Sequence, residues 1–440
     1  MTGQDKEETI NRRRILKAMA ASIGCALAPG GVAFARDSWH PAEGDQAFLD
    51  DLVRQGCLYF WEQGHPGTGQ VLDRASNRLN GALDPRWTAS IAATGFGLTA
   101  LCIADHRRYL PHAEIVERVR ITLDWHLNHL PEVHGFFYHF TDVATGKRQP
   151  GSEISSIDTS LLLCGILMAR EYFKDAQIRR LATEVYERVD WPWLLNGGKT
   201  FSMGWQPESG FLKSRWNHYC ESLMIYLLAI GSPTHAVPPG AWDIILRPVV
   251  HYAGFDYISG VDSLFTHQYS QAWFDFRNKS DAYADYFANS VKATRAHKAF
   301  CLSYPKWYNE QYWGITASDS ANGYAVWGGP PVEGQLDGTV VPCAAAGSLP
   351  FLPAECIAVL RAMRAKWGKR VWGRYGFVDA FHPAANWYDA DVIGIDQGIS
   401  VLMAENLRSG LVWKTFMHNR EAVRAMKQTG FHGQKFAWFL

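Results

Sequence analysis

Two carboxylates, Glu153 and Asp158, stand in Gly151-Ser-Glu-Ile-Ser-Ser-Ile-Asp-Thr-Ser, at the mouth of a run that is apolar on all sides from Ile157 to Met168. A run greasy all round predicts a buried helix. A carboxylate at its start must be hydrogen-bonded, paired or used in chemistry, because burying a bare charge is costly. Free N–H groups and the helix dipole at that end favour an anion. A third carboxyl, Glu221, precedes a second apolar run, Ser222-Leu-Met-Ile-Tyr-Leu-Leu-Ala-Ile. Burial there predicts a raised pKa, which is what a general acid requires. Carboxyl groups that flank one bond are the equipment of glycoside hydrolysis, one protonating the leaving oxygen and the other acting as base or nucleophile. Asp319 and Asp391 complete the candidate set. The bland alternative for each is a helix cap or a partner for arginine, and it is strongest for Asp158, since Asp-Thr-Ser inside a helix start is ordinary capping chemistry.

The segments around these residues are rich in Trp, Tyr, Asp and Gly. They include Trp205 to Glu221 with Arg215, Ser303 to Gly329 with Trp313 and Asp319, and Trp372 to Asp391 with Trp387 and Tyr388. Aromatic rings suit the apolar faces of sugars, and carboxylates and amides suit the hydroxyl rims. The chain holds 43 basic and 43 acidic residues, so no general field attracts nucleic acid, and a neutral glycan fits such loops better. Metal and cofactor signals are weak. His126-x-x-His129 reads as a surface pair without a third ligand. Gly95-Phe-Gly97 lacks the third glycine of a dinucleotide loop. Asp389, Asp391 and Asp396 lack the spacing of a calcium loop. No cofactor and no bound metal are expected.

Elements that position these residues alternate in character. Residues 88–106, 156–174, 218–231 and 393–407 are apolar, whereas 113–130, 176–190, 355–366 and 419–427 are charged on one side. Such alternation predicts an inner ring of buried helices inside an outer ring of half-exposed ones. The expected fold is all-α, an (α/α)6 barrel of helical hairpins in a single domain over 36–440. Long loops at 131–155, 191–217, 254–282, 303–350 and 370–392 join the helices, and loops of this length usually carry function. No fixed-period repeat supports a solenoid.

Residues 1–35 read as a twin-arginine-type signal peptide. Arg12 and Arg13 lie in a basic segment ending at Lys17, the apolar stretch Ala18–Val32 follows, and Ala33-Phe-Ala35 matches a small-x-small cleavage pattern. The stretch is short for a membrane span and is broken by Pro29-Gly-Gly. Bacterial export through the twin-arginine machinery is therefore expected, to the periplasm or the exterior, with no stable membrane insertion after the signal is removed. Seven cysteines remain beyond it, an odd number without a Cys-x-x-Cys, which predicts mostly buried thiols and leaves one disulfide open.

Five segments in order resemble the glycoamylase-like domain family. They are Ser152 to Thr159, Glu221 with Ala229-Ile-Gly-Ser-Pro-Thr-His235, Phe265 to Arg277, Trp313 to Asp319 continuing through Asp337 to Phe351, and Tyr375-Gly-Phe-Val-Asp379 through Trp387 to Gly398. The resemblance covers roughly residues 45 to 430. It implies the (α/α)6 barrel and an activity like that of bacterial endo-β-1,2-glucanases. It also implies an acidic pocket holding Glu221, Asp158 and Glu153, with Asp319 and Asp391 nearby.

The expected function is that of an exported glycoside hydrolase cleaving a β-linked glucan, most simply β-1,2-glucan, by carboxylate acid–base catalysis. Glu221 is the expected general acid, and Asp158 or Glu153 positions the water or completes the acid–base set. Trp313, Trp387 and Tyr388 are the expected sugar platforms, with Arg215 and Arg277 orienting carboxylates or hydroxyls. The alternatives on the same barrel are a transglycosylase, a polysaccharide lyase or a glycan-binding protein without catalysis. A lyase needs a basic site for a uronate, and these loops are acidic.

Overall fold

A computed structural model describes residues 41–330 and 336–433; the predicted signal peptide lies outside them. The helices are α1 Glu43–Glu62, α2 Ile91–His106, α3 His112–Asn128, α4 Ser156–Tyr172, α5 Ala176–Glu187, α6 Trp191–Leu195, α7 Leu223–Gly231, α8 Tyr269–Trp273, α9 Tyr286–Leu302, α10 Pro342–Ala346, α11 Pro353–Trp367, α12 Gly394–Arg408, α13 Leu411–Phe416 and α14 Arg420–Gln428. None among the described residues is long and apolar enough to cross a membrane.

Six of these segments are buried along almost their whole length: α2, α4, α7, α8, α10 and α12. They meet in a closed order. Helix α2 packs on α4 and α12, α4 packs on α7, and α10 packs on α12. The Met224 N–H donates to Ser270 Oγ to join α7 to α8, and Gln268 Nε2 donates to Ala344 O to join α8 to α10. Where α2 crosses α4 the backbones touch. A Cβ on Gly165 would lie 2.0 Å from Gly95 O, so both positions must stay bare.

The outer helices show the expected half-exposed pattern. In α5 the buried residues are Ile178, Leu181, Ala182, Val185 and Tyr186, one stripe at helical spacing. Helix α5 starts on Asp175, whose side chain accepts the Ile178 N–H at 2.9 Å. In α3, His126 belongs to the inward stripe, not the surface pair the sequence suggests. It is fully buried, its ring nitrogen lies 2.6 Å from Thr122 O, and burial pulls its pKa down to about 4. Toward the C-terminal end of α12, buried Glu405 accepts two hydrogen bonds from Arg107 at 2.6 and 3.0 Å. A buried carboxylate held this way is compensated, not exposed to water.

The predicted loops contain short antiparallel ribbons. Thr88–Ser90 pairs with Phe140–Asp142, Arg74–Ser76 pairs with Asp391–Ile393, and Ile154–Ser155 pairs with Gly204–Gln206. These pairings join segments distant in the chain, Arg74 to Ile393 most of all, and leave no local signature beyond turn-rich composition. Their effect is to hold the loops over one end of the inner helices. All seven described cysteines are free and buried.

Candidate active site

The N-terminal ends of the inner helices converge on this loop-covered end. Asp158 lies in the first turn of α4, Glu221 just ahead of α7, Cys343 in α10, and Asp396 in the first turn of α12.

Glu221 does not open its helix. Helix α7 begins at Leu223, and Glu221 stands in the preceding turn, pinned where Ser270 Oγ donates to its backbone carbonyl at 2.5 Å. Its side chain is 8% exposed and lines a cavity of about 480 Å³, with Trp216, His218, Phe265 and Thr266 among the walls. This volume is in the range of small-molecule sites. Burial pushes its carboxyl up to about 7, aided by the negative charge of Asp158 and opposed by its own backbone N–H and the Cys220 thiol. Such a group is protonated near neutrality and can donate.

Asp158 is not the cap of α4. Ser155 is, accepting the Asp158 N–H at 3.2 Å, and its hydroxyl donates in turn to Asp158 Oδ2 at 2.5 Å. The other oxygen, Oδ1, lies 3.5 Å from His139 Nε2. His139 Nδ1 lies 3.1 Å from Glu153 Oε1, and the His139 N–H donates to the Glu153 carbonyl at 2.8 Å across the ribbon. Burial works against charging this ring, but Asp158 and Glu153 overcome it and push the imidazole up to about 9. Burial likewise tends to raise Glu153, yet the His139 hydrogen bond and charge hold it below the usual value. Glu153 is therefore an anion tied to an imidazolium, not a proton donor. His139 went unnoticed in the sequence; its only local signal is an aromatic His-Phe step opposite the acidic motif.

A second acidic group lies beyond. Asp319 accepts from Arg74 at 2.7 Å, and its backbone N–H donates to Asp379 Oδ2 at 2.7 Å. Arg74 also holds Asp73 at 3.1 Å. Asp391 is bound by Arg86, with one contact at 3.1 Å, and the same guanidinium grips Asp84 at 2.7 and 2.8 Å. Asp379 and Asp396 are both 3% exposed and in hydrogen-bond contact with each other. Burial raises both pKa values, and Asp379 rises well above the carboxylate range. Burial also pushes Asp389 up to about 6. Asp379 and Asp396 both lie in the segment Tyr375 to Gly398, where local sequence gives no sign of their proximity. A cavity of about 310 Å³ adjoins this group, lined by Asp73, Arg74, Arg86, Trp87, Thr88 and Phe140.

Two clusters bring potential metal-ligand atoms within 4.8 Å of one another: His139, Glu153 and Asp158, and Asp319, Asp379 and Asp389. In the first, both imidazole nitrogens already face carboxylates. In the second, Arg74 holds Asp319.

Several predicted ligand residues sit elsewhere. Arg277 forms two hydrogen bonds of 2.9 Å to Asp275 and lies 4.0 Å over the Trp413 ring, just past the C-terminal end of α8 and away from Glu221. Trp313 is fully buried beneath Lys298 and offers no face to a sugar. Tyr388 is stacked on Phe381 at 6.0 Å with the Arg370 guanidinium over its ring. Trp387, half-buried in the same ribbon, lines neither cavity. Arg215 does line the larger cavity, but its guanidinium donates to Thr200 and to Leu195 O and so holds the wall together. An exposed aromatic at the smaller cavity is Trp87, at 62%.

Residues 213–420 match the Glycoamylase family model, described as "Putative glucoamylase". The chain is 26% identical over 431 residues to the exo-β-1,2-glucooligosaccharide sophorohydrolase (non-reducing end) of Parabacteroides distasonis. That match covers 87% of this chain, which spans 58% of the length of the curated relative. An endo-β-1,2-glucanase from Chitinophaga pinensis, solved with sophorotriose and glucose, superposes with a TM-score of 0.82 at 27% identity, covering 89% of this chain and 99% of that one. An endo-β-1,2-glucanase from Talaromyces funiculosus shares the fold at 13% identity, with a TM-score of 0.64 over 87% of this chain and 92% of that one. The resemblance to glycoamylase-like proteins seen in the five motifs is thus borne out by the family match and by the shape of the whole domain.

Proposed function

We propose that this chain is a glycoside hydrolase that cleaves β-1,2-linked glucan, with Glu221 as general acid. The observation that carries it is a buried carboxyl, with a pKa near 7, in the wall of a sugar-sized cavity at the tops of the inner helices. Relatives that act on β-1,2-glucans or their oligosaccharides support the linkage.

Protonated Glu221 donates to the departing glycosidic oxygen. Burial keeps the proton on Glu221 until the transition state, aided by the charge of Asp158, which Ser155 and His139 hold in place. Asp396, in the first turn of α12, serves as the base that activates water, directly or through a substrate hydroxyl. Trp87 offers a face to a glucose ring, and Arg74 and Arg86 stand beside it to bind hydroxyls. We read the closed order of six buried helices with their outer partners as an (α/α)6 barrel, and residues 1–35 as a twin-arginine signal that directs the chain out of the cytoplasm.

The test is digestion of a panel of glucans of defined linkage, with product lengths followed over time. Release of short oligosaccharides from β-1,2-glucan, abolished by Glu221→Gln, is expected. Inert behaviour toward every glucan, or full turnover by the variant, would overturn the reading.

A further inference from the structure

A cavity of about 300 Å³ lies outside the acidic site, between the ribbon that pairs Val249–Tyr252 with Phe255–Ile258 and the first turns of α9. Tyr283, in the turn before α9, lines it and is open to water yet fixed in place. It is 44% exposed. Its hydroxyl donates to Asp243 Oδ1 at 2.8 Å, and its backbone N–H donates to Asp281 Oδ1 at 2.8 Å. The Arg247 guanidinium lies 3.9 Å over its ring. That guanidinium is itself held, because Nε donates to the Tyr286 hydroxyl at 2.9 Å, Nη1 to Ile245 O at 2.6 Å and Nη2 to Trp242 O at 3.1 Å. One face of the Tyr283 ring is thus backed by an anchored cation, while the ring stays accessible. An aromatic surface held this way loses little freedom when a ligand stacks on it. The cavity rim carries Asp256, Asp285 and Lys292. Hydrogen-bonding groups of both signs around one aromatic suit the hydroxyls of a neutral sugar better than an ion of either charge.

This cavity is continuous with the one at Glu221. Ile258 lines the first and Gly260 the second, and two residues of extended chain span at most about 7 Å. Leu246 crosses the same gap on the neighbouring segment. Its N–H donates to Asn217 O at 2.8 Å, and its carbonyl accepts the Tyr219 N–H at 2.8 Å; Asn217 lines the Glu221 cavity. Leu246 and Val249 are each 54% exposed, and Val261 stands exposed at the rim of the Glu221 cavity. Open apolar side chains therefore run from that rim to Tyr283, and contiguous exposed apolar surface marks a binding site. We propose that Tyr283 and its cavity form a secondary glycan site, which takes a glucose unit of the same β-1,2-glucan chain whose scissile bond lies at Glu221. The choice of ligand rests on the hydrolase reading above. Holding one part of a chain raises the effective concentration of the rest at Glu221. Long chains gain from this, and oligosaccharides that fill only the Glu221 cavity do not.

The first measurement needs no turnover. In native gels cast with long β-1,2-glucan, Glu221→Gln should be retarded relative to gels without glucan. Adding Tyr283→Ala should weaken that binding by about 2- to 10-fold, the equivalent of one stacking contact. Tyr283→Phe keeps the ring and should bind as Tyr283 does. Equal retardation with and without Tyr283→Ala would overturn the proposal, and so would a loss in Tyr283→Phe as large as that in Tyr283→Ala. The second measurement is steady-state kinetics in the otherwise unaltered protein. Tyr283→Ala should raise KM for long β-1,2-glucan by about 2- to 10-fold, leaving kcat and the cleavage of short β-1,2-oligosaccharides unchanged. A change of equal size on long and short substrates would place the effect in the Glu221 site or in the fold and would overturn the secondary site. Retardation that depends on the Tyr283 ring, from a protein that cleaves no glucan, would defeat the hydrolase reading and leave the glycan site standing.

Discussion

His139 Nε2 lies 3.5 Å from Asp158 Oδ1, so the inner acidic wall is built around an imidazolium and not around free carboxylates. The ring is pushed up to about 9 from its ordinary 6.5 by Asp158 and Glu153, against burial. A group whose folded pKa is raised adds stability that is fully present below about 6.5 and lost as pH rises through about 9. His139→Gln should therefore lower the melting temperature most at acidic and neutral pH. The loss should be at most ~3 kcal/mol, taken from the shift between those two values. Thermal unfolding across this pH range checks it; a pH-independent difference would contradict the imidazolium.

Replacing Glu221 should separate activity from stability. Loss of a general acid costs about 10²- to 10⁴-fold in kcat. The folded protein also holds the Glu221 proton more tightly than the unfolded chain does, so ionising the buried carboxyl destabilises the fold as pH rises above 4.5, with the full cost reached above about 7. Glu221→Gln removes that cost. Its melting temperature should exceed that of the parent at alkaline pH and match it at acid pH.

The pH–rate profile should be a narrow bell. Its basic limb follows Glu221 at about 7. Its acid limb follows Asp396, which burial lifts above the ordinary carboxylate value. Because the Asp158 charge contributes to the Glu221 rise, Asp158→Asn should move the basic limb to lower pH. An unmoved limb would show that burial alone sets the Glu221 value.

Trp87 and Trp313 should respond in opposite ways. Trp87 is 62% exposed beside Arg86, so Trp87→Ala should raise KM by about 2- to 10-fold, the equivalent of one lost stacking contact, with little change in melting temperature. Trp313 is fully buried, and Trp313→Ala should cost about 3–5 kcal/mol of stability. Steady-state kinetics on long and short glucans, together with thermal unfolding, distinguish the two.

The helical framework was legible because burial leaves a periodic trace. Runs such as Ile91–Ala104 and Leu223–Gly231 are apolar on every side, and the stripe in α5 repeats at three and four residues. The acidic helix tops were legible for the related reason that a carboxylate beside an apolar run is conspicuous. Glu153, Asp158 and Glu221 could therefore be picked out from order and composition alone.

What each of those groups does was decided only in three dimensions. A carboxyl's charge depends on what lies across the cavity, and those partners come from distant parts of the chain. Arg74 reaches Asp319 across 245 residues and Arg86 reaches Asp391 across 305, turning two candidate site acids into ion-pair partners. His139 takes Glu153 out of contention as an acid, while burial raises the Glu221 carboxyl and favours its protonated form. Aromatic residues carry the same lesson. Trp313, Tyr388 and Trp87 look alike in sequence, yet packing closes the faces of the first two and leaves the third open to solvent. Residue type set the chemistry available; burial and long-range pairing set which atoms are free to perform it.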